Sequence, residues 1–189
     1  MSPGNETFQD APLRIAAARP RDAGQIVGMI RELADFEKLG AECRIDAAAV
    51  RRHLLGRNRA ADAIIAWVGG VAVGYAVYFR TFSTFTGKPG LYVEDLFVRA
   101  SFRRRGVGLA LLAEIGRKGR DAGIGRLEWT ALKWNRNARR MYTRLGAREL
   151  PEWLVLRVDG PALRRFPRKR RRETPARSAA ATCRETPHF

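Results

Sequence analysis

The chain has 189 residues, 46% of them hydrophobic, and a net charge of +17, a size that suits one domain with a substantial core. No apolar run approaches the roughly 18 residues that a membrane span needs, and residues 1–12 are polar and acidic, so we expect neither a transmembrane helix nor a signal peptide and predict a cytoplasmic protein. Cys43 and Cys183 lie far apart, so neither a disulfide framework nor a metal site is predicted.

The positive charge is unevenly distributed. Residues 161–189 carry nine Lys or Arg against two acids, or +7, and residues 1–160 carry 27 against 17, or +10. We therefore predict a disordered N-terminus over 1–12, a folded domain over 13–160 and a basic, disordered tail over 161–189. Such a tail can bind nucleic acid or anionic lipid non-specifically, but a tail that stays in solvent is the interpretation we favour.

The first half of the chain is predicted to form a strand, two helices and a hairpin. Apolar residues recur at helical spacing over residues 21–37, and Asp22 is placed to cap that helix. Gly69-Gly70 supplies a hairpin turn. In order, the elements are a strand over Leu13–Ala17, the helix over 21–37, a second helix beginning near Asp46, and strands over Ala63–Val68 and Val71–Phe79.

The second half continues with alternating strands and helices. They are a strand over Leu91–Val98, a helix that ends near Gly123, a strand over Arg126–Leu132, a helix over Asn135–Leu145 and a closing strand over Glu152–Val158. Asn135 is placed to cap its helix and Gly146 to stop it. This order predicts an α/β (α+β) fold with a single mixed, mostly antiparallel sheet and helices on both faces.

An arginine-rich glycine turn follows the strand over Leu91–Val98. It reads Arg103-Arg104-Arg105-Gly106-Val107-Gly108-Leu109. A strand that turns through glycines into a helix presents unpaired N–H groups and the positive end of the helix dipole, which makes this turn a candidate phosphate cradle. By itself the pattern is equally consistent with a glycine turn that carries solvated arginines, and no Gly-Lys-Ser/Thr follows as in a Walker loop.

The helix predicted over Asn135–Leu145 places Tyr142 on the same face as Ala138, Met141 and Leu145. Tyr142 is therefore expected to point inward, toward the sheet that carries the glycine turn. A lone tyrosine in this position is best explained as a core residue with a satisfied hydroxyl.

Three motifs follow one another along the chain. They are an acidic pair that ends a strand (Glu94-Asp95), Arg-x-x-Gly-x-Gly, and Asn135-x-x-Ala138-x-x-x-Tyr142-x-x-x-Gly146-Ala147. Together they resemble the GNAT family of acetyl-CoA-dependent N-acetyltransferases. Residues 30–37 and 90–98, with Trp134-Asn135 and residues 82–85, resemble more narrowly its diamine (spermidine/spermine) acetyltransferase branch. The resemblance covers residues 13–160 and leaves the basic tail outside.

The resemblance implies how acetyl-CoA would be held, without a metal ion. Backbone groups of Leu96, Phe97 and Val98 would pair with the pantetheine arm as though it were another strand. The turn would hold the pyrophosphate through Arg103, Arg104, Arg105, Gly106, Val107, Gly108 and Leu109. The other side of the cofactor would be lined by Asn135, Ala138 and Tyr142. A homodimer is also implied.

The same resemblance implies catalytic and acceptor residues. Tyr142 would donate a proton to the departing CoA thiolate, and Glu94 would meet the amine, directly or as a base through water. The acceptor cleft would be lined by Phe36, Glu37, Glu94, Glu128, Trp129 and Thr130. Plainer alternatives stay open, in which Glu94 pairs with an arginine, Glu37 and Glu128 are solvated, and Asp95 is a structural anchor that accepts from loop amides.

The chemistry of amine acetylation needs these residue types. An alkyl amine with a pKa near 10.4 is only about a thousandth neutral at neutral pH, a handicap of about 4 kcal/mol, and only the neutral amine attacks a thioester. A nearby carboxylate attracts the cation and takes its proton through water, and a phenol suits donation to the leaving thiolate. Because neither cysteine is placed near the motifs, direct transfer without an acyl-enzyme is predicted.

Departures from the branch leave the acceptor open. Lys133 stands where the branch usually has an acid, Arg136, Arg139 and Arg140 make the helix basic, and Met141 stands where an aromatic residue is frequent. The predicted function is acetyl transfer to the primary amine of a small cationic acceptor, either a polyamine or diamine or a thialysine-like amino acid. The alternatives are an acetyltransferase of a protein or peptide amine and a nucleic-acid-binding protein that acts through its basic tail.

Overall fold

The computed structural model of the chain describes residues 11–166. Its elements are β1 (Arg14–Ala17), α1 (Ala23–Phe36), α2 (Ala47–His53), β2 (Asp62–Val68), β3 (Val71–Ser83), β4 (Lys88–Val98), α3 (Val107–Asp121), β5 (Arg126–Trp129), α4 (Arg136–Arg144) and α5 (Gly160–Arg164). Two compact units divide between Ala138 and Arg139.

The first unit contains one five-stranded sheet in the order β1-β2-β3-β4-β5. Strands β1 to β4 pair antiparallel with their neighbours, and β5 pairs parallel to β4. The long β2–β3–β4 meander needs only tight turns, whereas the parallel β4–β5 pair needs the crossover that α3 provides. The predicted mixed, mostly antiparallel sheet is confirmed.

Helices cover both faces of the sheet, as predicted. On one face, α1 and α2 pack against the strands in a single core cluster that includes Ile26, Met29, Val50, Ile65, Tyr75, Val77 and Phe97. Full burial of aliphatic side chains of this size contributes about 1.5–3 kcal/mol each. On the other face lies α3, where Gly119 closely approaches Ile124 and the side chain of Leu91 on β4.

The predicted closing strand over Glu152–Val158 is wrong. Residues 153–159 belong to no helix or strand, because no strand among the described residues pairs with them. Their apolar side chains, which suggested a buried strand, are 71–88% exposed from Trp153 to Leu156. The strand predicted over Arg126–Leu132 is also shorter and ends at Trp129.

One of the two predicted N-terminal helix caps is confirmed and the other is wrong. Asn135 Oδ1 accepts the Ala138 N–H at 3.3 Å, as expected for the cap of α4, and Gly146 follows that helix with a φ of +85°. Asp22 does not cap α1, because its carboxylate accepts the Arg19 N–H at 2.8 Å across the preceding 3-10 turn.

The predicted termini fall largely outside the described residues. Residues 1–10 and 167–189, with Cys183 and most of the basic tail, are not described, and Gly160–Arg164 forms a short helix at the start of the segment predicted as a tail. Within residues 11–166 no helix has the length and hydrophobicity that crossing a membrane requires.

Candidate active site

The pairing of β3 with β4 shifts register at Glu94. Val77 pairs with Asp95, but the next residue, Tyr78, pairs with Val93, so Glu94 has no partner on β3. A β-bulge of this kind bends the strand and re-aims side chains. Two consecutive acids therefore depart from strict alternation, with Glu94 exposed and Asp95 half-buried.

The second half of β4 is an open strand edge. β5 pairs with β4 only over residues 90–93, so residues 94–98 have β3 on one side and no described strand on the other. Free N–H and C=O groups at such an edge can pair with another extended chain. The edge contains Leu96, Phe97 and Val98, the three residues that are predicted to pair with an added strand.

A buried hydroxyl positions Asp95. Tyr75, whose side chain is fully buried, donates its hydroxyl to Asp95 Oδ2 at 2.9 Å. Burial raises the pKa of Asp95, the hydrogen bond from Tyr75 opposes that rise, and the charge of Glu94 adds to it. The predicted bonds from loop amides to Asp95 are not found among the described residues. The phenol of Tyr75 provides the hydrogen bond instead.

Glu37, Glu94 and Asp95 form an acid cluster. Burial raises the pKa of Glu37, and the charge of Asp95 raises it further, so the two carboxyl groups interact. Within residues 11–166 none of the three has an ion pair, although the chain carries 36 Lys and Arg. An arginine partner for Glu94, the plainer alternative, is therefore not found in this part of the chain.

The remaining predicted acceptor residues have different surroundings. Glu128 is paired, with its Oε2 at 2.7 Å from Arg126 Nε. Thr130 Oγ1 accepts a hydrogen bond from the hydroxyl of Tyr92 at 3.3 Å. Trp129 is half-buried at the end of β5. Only Glu37 and Glu94 of the predicted acceptor acids are thus left without an ion pair among the described residues.

Two aromatic residues form an aromatic wall, Phe36 and Trp134. Their ring centroids lie 5.4 Å apart at an interplanar angle of 58°, a tilted contact of the favourable kind. Phe36 ends α1 directly before Glu37, and Trp134 is 52% exposed. The wall therefore adjoins the acid cluster and offers an open aromatic surface.

The basic turn (residues 103–109) has the geometry of an anion site. Arg104 and Gly106 have φ values of +62° and +80°, and successive N–H groups converge in turns of this kind. The first hydrogen bond of α3 runs from Ala110 N–H to the Gly106 carbonyl. The N–H groups of Val107, Gly108 and Leu109 therefore have no acceptor within the helix and suit a phosphate.

The arginines of the basic turn differ in placement. Arg103 is half-buried, and its Nε donates to the Val98 carbonyl at 2.9 Å. Arg104 and Arg105 are exposed, and the guanidinium of Arg105 lies 5.5 Å from the ring centroid of Phe102. The three residues are therefore not equivalent, although the motif treats them alike.

Helix α4 carries Tyr142. Ala138 and Tyr142 are both half-buried and, four residues apart, share one face of the helix. Burial raises the pKa of Tyr142, so the phenol keeps its proton throughout the neutral range. Arg139 Nη2 lies 2.7 Å from Glu149 Oε1, which neutralises one of the cations that make the helix basic.

Sequence reasoning missed the residues around Tyr75. The alternation of β3 places this tyrosine among core residues, which signals a buried hydroxyl that needs a partner. Identifying Asp95 as that partner requires the register of β3 with β4. Cys43 also interacts electrostatically with the Tyr75 hydroxyl, so it lies closer to the acid cluster than the sequence suggests.

The chain is similar to acetyltransferases in both sequence and fold. Residues 26–147 match the model of the Acetyltransferase (GNAT) family. A thialysine N-epsilon-acetyltransferase from Mus musculus is 34% identical over 165 residues, which cover 82% of this chain and 96% of that protein. One from Caenorhabditis elegans is 35% identical over 155 residues, or 80% and 95%. An integron cassette protein from the mobile metagenome of V. cholerae has a TM-score of 0.72 at 25% identity, over 83% of this chain and 98% of its own.

We predict that Asp95→Asn stabilises the protein at neutral pH. Because burial raises the folded-state pKa of Asp95, stability is lost as the pH rises through that pKa, and the ionised carboxylate is a cost at pH 7. Asparagine keeps an oxygen for the Tyr75 hydroxyl. Thermal unfolding should give a higher Tm for the variant at pH 7, and the difference should shrink toward pH 4. A kcal/mol corresponds to roughly 2–4 °C in a chain of this size.

Glu42→Gln is the matched control, because Glu42 is exposed on a short turn and its neutralisation should leave Tm nearly unchanged at both pH values. An Asp95→Asn variant that is destabilised equally at pH 7 and pH 4 would show that Asp95 is only a structural hydrogen-bond acceptor.

Proposed function

Because this chain belongs to the GNAT acetyltransferase family and is an N-acetyltransferase that uses acetyl-CoA, we propose that its acceptor is the primary amine of a small aliphatic cation, a diamine, a polyamine or thialysine. The observation that carries this proposal is the acid cluster, which forms no ion pair with any residue over 11–166. Three adjacent carboxyl groups in a strongly basic chain attract cations locally, whatever the net charge. The relatives named as thialysine N-epsilon-acetyltransferases support the same class of acceptor.

The acid cluster and the aromatic wall complement each other as an acceptor site. Glu94 lies beside Asp95 in the bulge, and Glu37 connects the cluster to Phe36. An aliphatic ammonium ion binds both to carboxylates, by charge-assisted hydrogen bonds, and to aromatic faces, by cation–π attraction. An acceptor with two cationic groups can therefore engage both parts of the site.

Glu94 prepares the amine for attack. An amine bound as the cation must lose a proton, which at neutral pH costs about 4 kcal/mol for a pKa near 10.4. Glu94 is exposed at the bulge, where its carboxylate takes that proton directly or through one water. Glu37 and Asp95 then stabilise the remaining positive charge of the acceptor.

Acetyl-CoA supplies the acetyl group as an activated thioester, and the chain supplies two binding surfaces for it. The open edge of β4 at Leu96, Phe97 and Val98 takes the pantetheine arm as an added strand. The N–H groups of the basic turn, with Arg104 and Arg105, take the pyrophosphate, and Asn135 and Ala138 line the opposite side. No metal ion is part of this proposal.

Tyr142 is proposed as the acid that protonates the leaving sulfur. Its raised pKa keeps the phenol protonated at neutral pH, the form that a proton donor needs. Transfer is direct from cofactor to amine, so neither cysteine forms a covalent intermediate. Cys43→Ser should accordingly keep wild-type activity.

A homodimer is also proposed. Apolar residues from Trp153 to Leu156 are 71–88% exposed, and Leu145 and Leu150 are exposed to 47% and 42%. Contiguous apolar surface of this kind usually marks an interface with another protein, and a second copy of the chain is the partner that the family resemblance implies.

The acceptor class is tested by thiol release from acetyl-CoA across a panel of amines. We expect kcat/KM for spermidine, 1,3-diaminopropane and thialysine to exceed that for butylamine by about tenfold or more, because a second cationic group gains a charge-assisted contact. Butylamine is the matched control, since it has one ammonium group on a similar chain. A lysine-bearing peptide that outperforms all of them would indicate a peptide acceptor instead, and no thiol release with any amine would refute the enzymatic proposal.

Glu94→Gln and Tyr142→Phe should affect opposite limbs of the pH profile of kcat. Loss of the base at position 94 should depress the rate near neutral pH and spare it at high pH, where the amine is already neutral. Loss of the phenol should lower kcat roughly 100-fold or more and remove the alkaline decline that follows its deprotonation, with little change in the KM for acetyl-CoA. Tyr78→Phe, in the core beside α3, controls for the removal of a buried hydroxyl.

The two catalytic assignments fail separately. An unchanged kcat of Tyr142→Phe at every pH removes that residue from the acid role. Uniform loss with Glu94→Gln, without recovery at high pH, makes Glu94 a cation anchor rather than a base.

Changing the exposed apolar run to charge should abolish the dimer. We expect light scattering after size exclusion to give twice 21.2 kDa for the wild type and a single mass for Leu154→Lys/Leu156→Lys, because burying two lysines at an interface is costly. Leu39→Lys, at another exposed leucine, should leave the dimer intact. A wild type that is monomeric at micromolar concentration would rule the dimer out.

A further inference from the structure

We propose that Arg103 is a positioning residue for the acceptor side of the site rather than a ligand of the cofactor phosphates. Its guanidinium fixes Phe36, and through Phe36 the aromatic wall, relative to the basic turn. The proposal rests on the proposed function, because it presumes that the aromatic wall contacts the amine.

The side chain of Arg103 is directed into the protein. Its Nε donates to the Val98 carbonyl at 2.9 Å, and its guanidinium carbon lies 4.4 Å from the ring centroid of Phe36 and 5.6 Å from that of Phe97. A planar guanidinium can stack on a ring while it donates in its own plane. Through these contacts Arg103 links the end of β4 to the end of α1.

The contacts of Phe36 extend this arrangement to the rest of the acceptor site. One neighbour of its ring is Arg103, and another is Trp134 at 5.4 Å. Trp134 directly precedes Asn135, the cap of α4, and Glu37 directly follows Phe36. A shift of the Arg103 guanidinium therefore displaces a residue that borders both Trp134 and the acid cluster.

The other two arginines are better placed for phosphate. Arg104 and Arg105 are exposed, and Arg104 has a left-handed backbone with a φ of +62°. The arginines of the basic turn therefore point in different directions. Arg103 is directed toward the aromatic wall, and Arg104 and Arg105 are directed toward solvent. The sequence-based assignment of Arg103 to the cofactor does not distinguish between them.

The test separates cofactor affinity from acceptor affinity. Arg103→Gln is expected to raise the KM for the best amine of the panel roughly tenfold and to leave the Kd for acetyl-CoA, measured by calorimetry without amine, nearly unchanged. Arg104→Gln is the matched control and should show the reverse, a weaker Kd for acetyl-CoA with a small change in amine KM. Arg103→Lys should not restore the amine KM, because an ammonium cannot stack and donate as the guanidinium does.

Two results would overturn the proposal. One is a loss of acetyl-CoA affinity in Arg103→Gln that equals the loss in Arg104→Gln. The other is an amine KM that does not change. If the wild type acetylates no amine, the proposed function fails by itself, and a double-mutant cycle of Arg103→Gln with Phe36→Leu in urea unfolding still decides the contact. Zero coupling between the two substitutions would show that Arg103 does not position Phe36.

Discussion

The end of pairing between β4 and β5 is the constraint on which the candidate site depends. Pairing is complete over residues 90–93 and stops at the bulge of Glu94. Residues 94–98 of β4 then provide an acidic pair and an open edge, so the proposed acceptor and cofactor surfaces begin at one point of the backbone. The basic turn (residues 103–109) comes after the end of that edge and leads into α3.

Electrostatics separates the two surfaces by sign. The basic turn offers N–H groups and exposed guanidinium groups to an anion, and the acid cluster offers carboxylates that form no ion pair within residues 11–166. Burial makes ionisation of Asp95 and Glu37 unfavourable in the free protein. A cation bound there, as the proposed function requires, would relieve that cost, so the cluster would favour a charged acceptor at the expense of stability.

Local pattern carries most of the fold but not its pairing. Hydrophobic spacing predicts α1, α3 and the β2–β3 hairpin because each uses contacts within a few residues. The bulge at Glu94 and the hydrogen bond from Tyr75 to Asp95 depend on the register between β3 and β4, which spacing does not specify. The strand predicted from the apolar run Trp153–Leu156 is wrong for a different reason. An apolar pattern predicts burial, but it does not identify the element that would cover those side chains.

The motifs predict roles for the basic turn and Tyr142 but assign equal roles to neighbouring residues of the same type. Arg103 and Arg104 are adjacent arginines, yet one stacks on Phe36 and the other faces solvent. The difference arises from backbone geometry, since Arg104 adopts a left-handed conformation that turns the chain between them. A single sequence contains no signal for that turn apart from the glycine two residues later.

The lengths of the strands limit the exposed sheet edge through which the protein could aggregate. Both border strands, β1 and β5, are four residues long, whereas the long strands β3 and β4 lie inside the sheet. A short edge strand offers few free N–H and C=O groups with which an extended segment of another chain could pair. The open edge of β4 is the exception, and it is confined to residues 94–98, between the segment paired with β5 and the turn that leads into α3. The template for strand addition is therefore limited to one short segment.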